Sequence, residues 1–389
     1  MEGDFIKIDR WLMPLSWLYG LAVNVRNSLF DMGLLKARSF SVPVISVGNI
    51  TVGGSGKTPH VEYLASLLKD LCKVAVLSRG YKRKTKGFIL ADDNSTIWDI
   101  GDEPYQMKKK FPMIEVAVDK NRCHGIDQLD EIGIKPDVVL LDDAFQHRYV
   151  KPGINILLVD YHRIIVYDEL LPAGRLREPL NGKDRADIVI VTKCPKTLKP
   201  MEYRVITKVM SLYPYQQLFF TAIDYGELLP LFNGGEPKPL DFVKDRQVLL
   251  LSGIASPEQM SHDLSPICDQ LQPLTFSDHH HFNKKDIELI NTTFAKMKGQ
   301  KCIITTEKDA TRLEHIEGLS DEVRDNIYVL PIKVEFLQEQ KDKFNNYIIN
   351  YVRKNSRNSI LAKEKDGHTS QDSNSTGDRP RTISFRNNR

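Results

Sequence analysis

The sequence of 389 residues has few cysteines and no cysteine motif. The five cysteines are scattered along the chain at Cys72, Cys123, Cys194, Cys268 and Cys302. An odd number of widely separated thiols, with no CxxC spacing, is not typical of a disulfide framework or of a cysteine-based zinc site. We therefore expect reduced thiols and a reducing, cytosolic compartment.

Neither sign of charge is in large excess. The chain has 54 Lys and Arg against 51 Asp and Glu, which gives a formal net charge of +3. This excess is too small to indicate nucleic-acid binding, so we expect no nucleic-acid partner. Hydrophobic residues make up 41% and charged residues 27% of the sequence, as in ordinary globular proteins. The length allows two domains with sizeable cores.

Long hydrophobic runs are also missing. The most apolar segment near the N-terminus is WLMPLSWLYGLAVNV, residues 11 to 25. Pro14 and Gly20 interrupt it and Arg26 ends it, well short of the ~20 apolar residues that a membrane span requires. No small-residue cleavage site follows, so we expect no signal peptide. The residues leave two interpretations open: a helix packed on the body of the protein, or a helix lying in a membrane interface.

Short apolar runs alternate with segments of helical periodicity. Strand-like runs occupy residues 43–49, 73–78, 114–118, 137–143, 154–160 and 187–192. Nearly continuous apolar strands separated by helices indicate a mostly parallel sheet that is covered on both faces. A second α/β series begins near residue 241, after a segment rich in proline, tyrosine and glycine. The fold class is therefore α/β.

A glycine-rich loop follows the first strand, in GNITVGGSGKTPH. Gly56, Lys57 and Thr58 fit the end of the P-loop pattern, whereas Thr51 stands where the leading glycine usually lies. Amide groups of such a loop and of the following helix bind phosphate. Lys57 is expected to reach the β- and γ-phosphates, and the Thr58 hydroxyl to bind Mg²⁺. The predicted ATP-binding residues are Thr51, Val52, Gly53, Gly54, Ser55, Gly56, Lys57 and Thr58.

Acidic residues end a later strand, in PDVVLLDDAFQHR. Asp142 is the predicted partner of Mg²⁺ together with Thr58, because Mg²⁺ takes carboxylate oxygens beside bound phosphates. Gln146 and His147 follow, where loops at the carboxyl ends of parallel strands line a ligand crevice.

These features divide the chain into five parts. We predict an N-terminal interfacial helix region, a P-loop kinase core, a linker, a smaller α/β domain and a disordered polar tail. Their boundaries are 1–35, 36–222, 223–240, 241–354 and 355–389. The tail has little apolar content with which to form a core.

Seven motifs in a fixed order give a more specific indication. They are GNITVGGSGKTPH, SRGY, GDEP, DDAFQH, LLPAGRLREP, SDHHHF and TTEKDA. Together they resemble the tetraacyldisaccharide 4'-kinase (lipid A 4'-kinase) family over residues 10 to 350. The resemblance implies a P-loop kinase that moves the γ-phosphate of ATP to the 4'-hydroxyl of a tetraacyldisaccharide 1-phosphate. It also implies attachment to the cytoplasmic face of the bacterial inner membrane, which favours the interfacial interpretation of residues 11 to 25.

The resemblance also implies roles for individual residues. A sugar hydroxyl is a poor nucleophile and needs a proton acceptor. Asp102 of GDEP is the implied base and His279 of SDHHHF its partner, with His280 as the alternative; Lys57 completes the catalytic set. Their meeting would require closure of the two domains. The substrate or support residues are Asn49, Arg79, Glu103, Asp143, Gln146, His147, Arg177, Glu178 and Asp278.

Two other functions are considered from the sequence. A P-loop GTPase acting as a switch would need an Asn/Thr-Lys-x-Asp motif; VTKCP begins like one, but Pro195 stands where the aspartate belongs. A membrane-bound adaptor would bind ATP without transferring phosphate. Nucleotide preference would identify the switch, and acceptor-dependent release of ADP would exclude the adaptor.

Overall fold

The fold is known from a computed structural model that describes residues 8–232 and 234–356. Most of the tail predicted to be disordered therefore lies outside the described residues. In chain order the strands of the described part are β1 (Val44–Gly48), β2 (Val74–Ser78), β3 (Ile89–Leu90), β4 (Glu115–Val118), β5 (Val138–Asp142), β6 (Ile154–Asp160), β7 (Ile188–Thr192), β8 (Gln217–Tyr225), β9 (Leu229–Pro230), β10 (Gln247–Ser252), β11 (Gln270–Thr275), β12 (Lys301–Thr306), β13 (Ile327–Leu330) and β14 (Ile332–Phe336).

The helices connect these strands. They are α1 (Met13–Asp31), α2 (Lys57–Leu68), α3 (Ile97–Ile100), α4 (Asp102–Lys110), α5 (Arg122–Glu131), α6 (Pro200–Met210), α7 (Glu258–Leu264), α8 (Lys284–Lys296), α9 (Glu307–Leu313), α10 (Asp321–Asn326) and α11 (Lys341–Asn355). Short 3-10 helices occupy Arg10–Leu12, Tyr161–Arg163, Ile165–Tyr167, Leu180–Arg185 and Leu240–Val243.

Nine strands form the large sheet, in the order β14-β8-β7-β6-β1-β5-β2-β4-β3. The pairs from β8 to β4 are parallel, and the edge strands β3 and β14 are antiparallel to their neighbours. Strands β1, β2, β5 and β7 are buried along their whole length, because helices cover both faces. The mostly parallel α/β fold expected from the apolar runs is confirmed.

Five strands form the small sheet, in the order β11-β10-β12-β13-β9. Only β9 is antiparallel to its neighbour. Helices α8, α9 and α10 pack on one face, where Ile290, Phe294 and Leu313 meet Leu249 and Ile303 in a buried core. This is the smaller α/β unit expected after residue 241.

The end of the chain returns to the large sheet. Strand β14 pairs with β8, and α11 packs on the same core through Phe344 and Val352. The ring of Phe344 lies 4.6 Å from that of Phe336 in β14. The predicted small domain of 241–354 included both elements, and the structure differs there because their buried aromatic residues belong to the large core. The chain passes between the sheets after β8 and again before β14. These two connections lie side by side, and Gly226 N of the first donates to Pro331 O of the second.

Helix α1 packs on the large unit through a narrow face. Ser16 Oγ donates to Leu170 O at 2.9 Å, and Gly20 lies so close to Leu170 that a Cβ would come within 2.7 Å of its side chain. The opposite face is apolar and exposed: Trp17 is 70% and Leu18 66% accessible to solvent. Among the described residues, no helix is both long and apolar enough to cross a bilayer.

Candidate active site

A cavity of about 1460 Å³ lies between the two sheets, at the carboxyl ends of the large sheet's parallel strands. The large unit contributes the loop after β1, the ends of β2 and β5, and residues of α1. The small unit contributes residues 254–260, Asp278, His279 and Lys308. Ala255 lies directly over the glycine-rich loop, 3.5 Å from the position that a Cβ on Gly54 would take.

The glycine-rich loop is supported from behind by buried polar groups. Asn49 Nδ2 donates to Ser55 Oγ at 2.8 Å and to Thr51 Oγ1 at 3.2 Å. Val52 N donates to Arg175 O at 2.8 Å, so a second loop fixes the first. Gly56 has φ 80° at the start of α2, a left-handed conformation that favours glycine. The segment Val52 to Thr58 lines the cavity, whereas Asn49 and Thr51 do not.

His60, one turn into α2, anchors this loop. Its Nδ1 lies 2.7 Å from Gly56 O and its Nε2 3.1 Å from Thr221 Oγ1 on β8. Burial lowers the pKa of His60 to about 4, so the ring is neutral at pH 7. Because Gly56 O can only accept, Nδ1 carries the proton and donates it there. Sequence reasoning assigned His60 no role, since nothing local shows that it faces β8.

Asp142 ends β5 beside the loop and is buried. Ser78 Oγ donates to its Oδ2 at 3.2 Å, while its Oδ1 has no partner among the described residues. Burial, together with the charges of Glu103 and Asp143, raises the pKa of Asp142 to about 7 against the opposing effect of Lys57. Lys57 Nζ lies 3.8 Å from Asp143 Oδ1. A cation placed here would relieve the repulsion between these carboxylates.

The residues fit Mg²⁺ of the kind that binds through phosphate. Among the described residues there is no group of three or more His, Cys, Asp or Glu side chains that could enclose a metal. Mg²⁺ is commonly held by one or two carboxylates, water and substrate phosphates. The unpartnered Oδ1 of Asp142 and the hydroxyl of Thr58, which line the same cavity, are ligands of that type.

Asp102 and His279 meet across the two sheets. Asp102 begins α4 after Gly101, whose φ is 91°, and His279 lies in the loop after β11 with φ 56°. His279 Nδ1 is 2.8 Å from Asp102 Oδ2, and Arg312 of α9 contacts the same oxygen. Burial alone would raise the pKa of Asp102, but this hydrogen bond and the cations Arg312 and Lys308 together hold it well below its usual range.

His279 lines the cavity and Asp102 lies behind it. Asp102 is 8% exposed and does not line the cavity. At the edge of the imidazole opposite Asp102, Lys308 Nζ lies 3.0 Å from Nε2. The ring itself packs on that of Tyr81. His280 points elsewhere: its Nε2 lies 2.8 Å from Asp286 and its ring stacks on Phe276. His279, not His280, is therefore the histidine that meets Asp102.

The arginine-containing loop of residues 170–179 closes another side. Arg177 Nη1 lies 3.5 Å from Asp143 Oδ2, and Tyr19 of α1 donates to Arg177 O at 2.8 Å. Glu178 is buried and its Oε2 accepts from Arg185 at 2.6 Å. Glu178 Oε1 has no partner among the described residues.

The remaining predicted residues fall into two groups. Most of them line the cavity: Arg79, Glu103, Asp143, Gln146, Arg177, Glu178 and Asp278. His147 lies outside the lining, and burial together with nearby cations, above all Arg122, lowers its pKa to about 4. Gln146 Nε2 donates to Asn49 O behind the glycine-rich loop.

Sequence reasoning missed two cations of α9. Lys308 lies within the quoted motif TTEKDA, but no role could be derived for it. Arg312 lies two residues beyond that motif, is 3% exposed and pairs with both Asp102 and Asp309. A buried arginine needs a partner, but its sequence position does not indicate that the partner belongs to the other sheet.

Comparisons with known proteins identify a family. The family described as LpxK, tetraacyldisaccharide-1-P 4'-kinase, matches residues 8–353. A tetraacyldisaccharide 4'-kinase of Phocaeicola vulgatus is 60% identical over 363 residues, covering 92% of this chain and 99% of the relative. One of Bacteroides thetaiotaomicron is 56% identical over 382 residues, covering 95% of this chain and 100% of the relative.

A solved structure supports the same assignment. The crystal structure of LpxK from Aquifex aeolicus in complex with ATP is similar with a TM-score of 0.68 and 34% sequence identity. The match covers 87% of this chain and 98% of that chain. The resemblance drawn from seven motifs is confirmed, and this chain belongs to the tetraacyldisaccharide 4'-kinase family.

Proposed function

We infer that the chain is an ATP-dependent kinase that phosphorylates the 4'-hydroxyl of a tetraacyldisaccharide 1-phosphate, a precursor of lipid A. The observation that carries this conclusion is the set of residues that line one cavity. A loop built for phosphate and a histidine held by a buried carboxylate face the same space, each from a different sheet.

The phosphate loop would bind the triphosphate of ATP. The backbone amides of Gly53, Gly54 and Gly56, with those at the N-terminus of α2, would supply donors to the phosphate oxygens, and Lys57 lines the same cavity. We propose that Thr58 and Asp142 hold Mg²⁺ there. When bound, Mg²⁺ neutralises charge on the phosphate oxygens. Asp143 lies within 4 Å of both Lys57 Nζ (3.8 Å) and Arg177 Nη1 (3.5 Å), and it would hold these two cations in the cavity.

The Asp102–His279 pair would accept the proton of the sugar hydroxyl. The hydroxyl oxygen forms a bond to the γ-phosphorus while the bond to the β,γ-bridging oxygen breaks, and ADP leaves with that electron pair. The proton goes to the pair. The family resemblance implies that Asp102 is the base. Since His279 lines the cavity, we propose that His279 faces the hydroxyl and that Asp102 stabilises the imidazolium.

The exposed face of α1 would place this cavity at a membrane surface. It presents Trp17, Leu18 and Leu21 to solvent, on the helix that contributes Tyr19 and Arg26 to the cavity wall. Tryptophan and leucine on a helix that does not span are typical of interfacial binding. We propose that α1 lies on the cytoplasmic face of the inner membrane and that acyl chains remain near it. Use of ATP and free thiols agree with that side.

The test is transfer of label. The full chain is incubated in detergent with γ-labelled ATP, Mg²⁺ and tetraacyldisaccharide 1-phosphate, and the glycolipid fraction is counted. We expect labelled glycolipid and acceptor-dependent ADP. ATP hydrolysis that ignores the acceptor would refute the proposed function, and so would a strong preference for GTP.

A further inference from the structure

Helix α9 of the small unit places two cations on opposite sides of the Asp102–His279 pair. Lys308 and Arg312 are four residues apart, so they project from the same face of this helix. Lys308 Nζ lies 3.0 Å from His279 Nε2, and Arg312 contacts Asp102 Oδ2. Neither residue belongs to the phosphate loop or to the Mg²⁺ ligands, and no step of the mechanism above uses them.

The hydrogen bonds to His279 fix which nitrogen carries the proton. The ammonium of Lys308 can only donate, so the nearby Nε2 must accept. A neutral imidazole then carries its proton on Nδ1, and it donates that proton to Asp102 Oδ2 at 2.8 Å. The nitrogen that faces the cavity therefore has a free lone pair once a substrate hydroxyl replaces Lys308 as the donor. Lys308 keeps two other partners, Glu103 and Asp278, each at 3.3 Å.

Arg312 secures the other side of the pair. Its guanidinium is almost fully buried, and its Nη1 is held by Asp309 Oδ1 at 2.9 Å and by Gly253 O at 3.4 Å. The second nitrogen, Nη2, is thereby directed at Asp102. A buried cation beside this carboxylate favours its ionised form, which is the form that can accept the bond from Nδ1.

We propose that Lys308 and Arg312 are positioning residues: Lys308 sets the tautomer of His279 within the small unit, and Arg312 favours the ionised form of Asp102 while the small unit is docked on α4. This inference rests on the proposed kinase function and adds to it a requirement for docking. The base would be assembled when both cations are in place. If the small unit moved away, Asp102 would lose His279 and Arg312 together, and idle hydrolysis of ATP would lose its proton acceptor.

Other contacts across the same boundary provide a matched control. Lys109 of α4 is paired with Glu314 beyond α9, in an exposed ion pair that does not reach His279. Lys109→Gln therefore removes a docking contact and leaves both positioning cations intact. Lys308→Gln and Arg312→Gln remove one cation each, while Lys308→Arg keeps the charge.

The experiment measures kcat, KM for ATP and the pH dependence of kcat/KM for the full chain with the lipid acceptor. We expect Lys308→Gln to lower kcat by about 10²-fold without raising KM for ATP. Lys308→Arg should restore most of the lost kcat, and Lys109→Gln should behave as wild type. In Arg312→Gln the pKa of Asp102 should rise, so activity should fall on the acid side at a pH where wild type is still active. Besides Lys308 and Arg312, the charged and titratable groups that face the pair are Lys82, Glu103, Asp278 and His281, and these four are unchanged in every variant.

Three outcomes decide the question. Wild-type kcat and an unchanged acid limb in Lys308→Gln and Arg312→Gln would overturn the inference, as would an equal loss in Lys109→Gln. If Arg312→Gln no longer binds ATP because it fails to fold, Lys308→Gln and its rescue by arginine still support or overturn the inference. Absence of transfer by the unsubstituted chain would instead refute the proposed function itself, and this inference with it.

Discussion

Replacement of His60 by asparagine tests how the phosphate loop is held. His60 is buried between Gly56 O and Thr221 Oγ1, and burial lowers its pKa from 6.5 to about 4. Asparagine places a donor near the position of Nδ1 and does not titrate. The variant keeps the bond to Gly56 and loses the one to Thr221.

The magnitude follows from linkage between protonation and folding. Between pH 6.5 and pH 4 the unfolded chain binds a proton at His60 that the folded chain does not, so stability is present above pH 6.5 and is lost as the pH falls. With these pKa values, the loss between pH 8 and pH 5 is about 2 kcal/mol. Other groups contribute equally to both proteins, so the difference between them isolates His60.

The assay is urea denaturation of wild type and His60→Asn at pH 8 and at pH 5. We expect the wild type to lose about 2 kcal/mol more than the variant over this interval. KM for ATP should rise in the variant, since the loop loses its connection to β8. Equal losses of stability in the two proteins would show that His60 is not buried as a neutral group, and the anchoring role would then be rejected.

Three further changes test other parts of the structure. Lys57→Ala should weaken both ATP binding and transfer, as measured by calorimetry and label counting; unchanged ATP affinity would contradict the role given to the loop. Phe344→Ala should reduce the free energy of unfolding, measured in urea, by about 3–5 kcal/mol, because the side chain is buried between α11 and the large sheet. A loss under about 1 kcal/mol would contradict the packing of α11. The double variant Trp17→Ser, Leu18→Ser should bind anionic vesicles about 10-fold more weakly in a sedimentation assay, because it loses apolar surface that would enter the interface. Folding should be unchanged, because both side chains are exposed. Vesicle binding equal to wild type would contradict the interfacial role of α1.

The phosphate loop could be predicted because its signal is local. A strand, a run of glycines, Lys57 and a helix follow one another directly, and each supports the next. Asp142 was likewise predictable, since parallel strands bring their carboxyl ends to one edge of a sheet. The mostly parallel sheet followed from apolar runs separated by helical segments, which are typical of a sheet covered on both faces.

The encounter of Asp102 with His279 could not be derived from the residues. They are 177 positions apart and lie on different sheets, so their contact depends on how two folded units dock. Only the resemblance to a family suggested it. No role could be derived for the cations of α9 for the same reason, because the partner of Arg312 lies across that boundary.

The local sequence also could not predict that the chain returns to the large sheet at β14. The segment Ile332–Phe336 alternates between half-buried and exposed positions up to the buried Phe336, and such a strand can pair with either sheet. Its partner is decided by Phe336, which packs against Phe219 and Phe344. The sequence left open whether residues 11 to 25 pack on the protein or lie in a membrane interface. In the structure one face of α1 packs on the protein, and the opposite face is apolar and exposed.

The most direct measurement compares wild type with Asp102→Ala in the labelled-lipid assay, alongside ATP binding. If the proton leaves through the pair at the cavity wall, wild type yields labelled glycolipid. The variant should bind ATP normally and lose transfer by about 10²-fold or more. Turnover at the wild-type rate in the variant would contradict the proposed role of the pair.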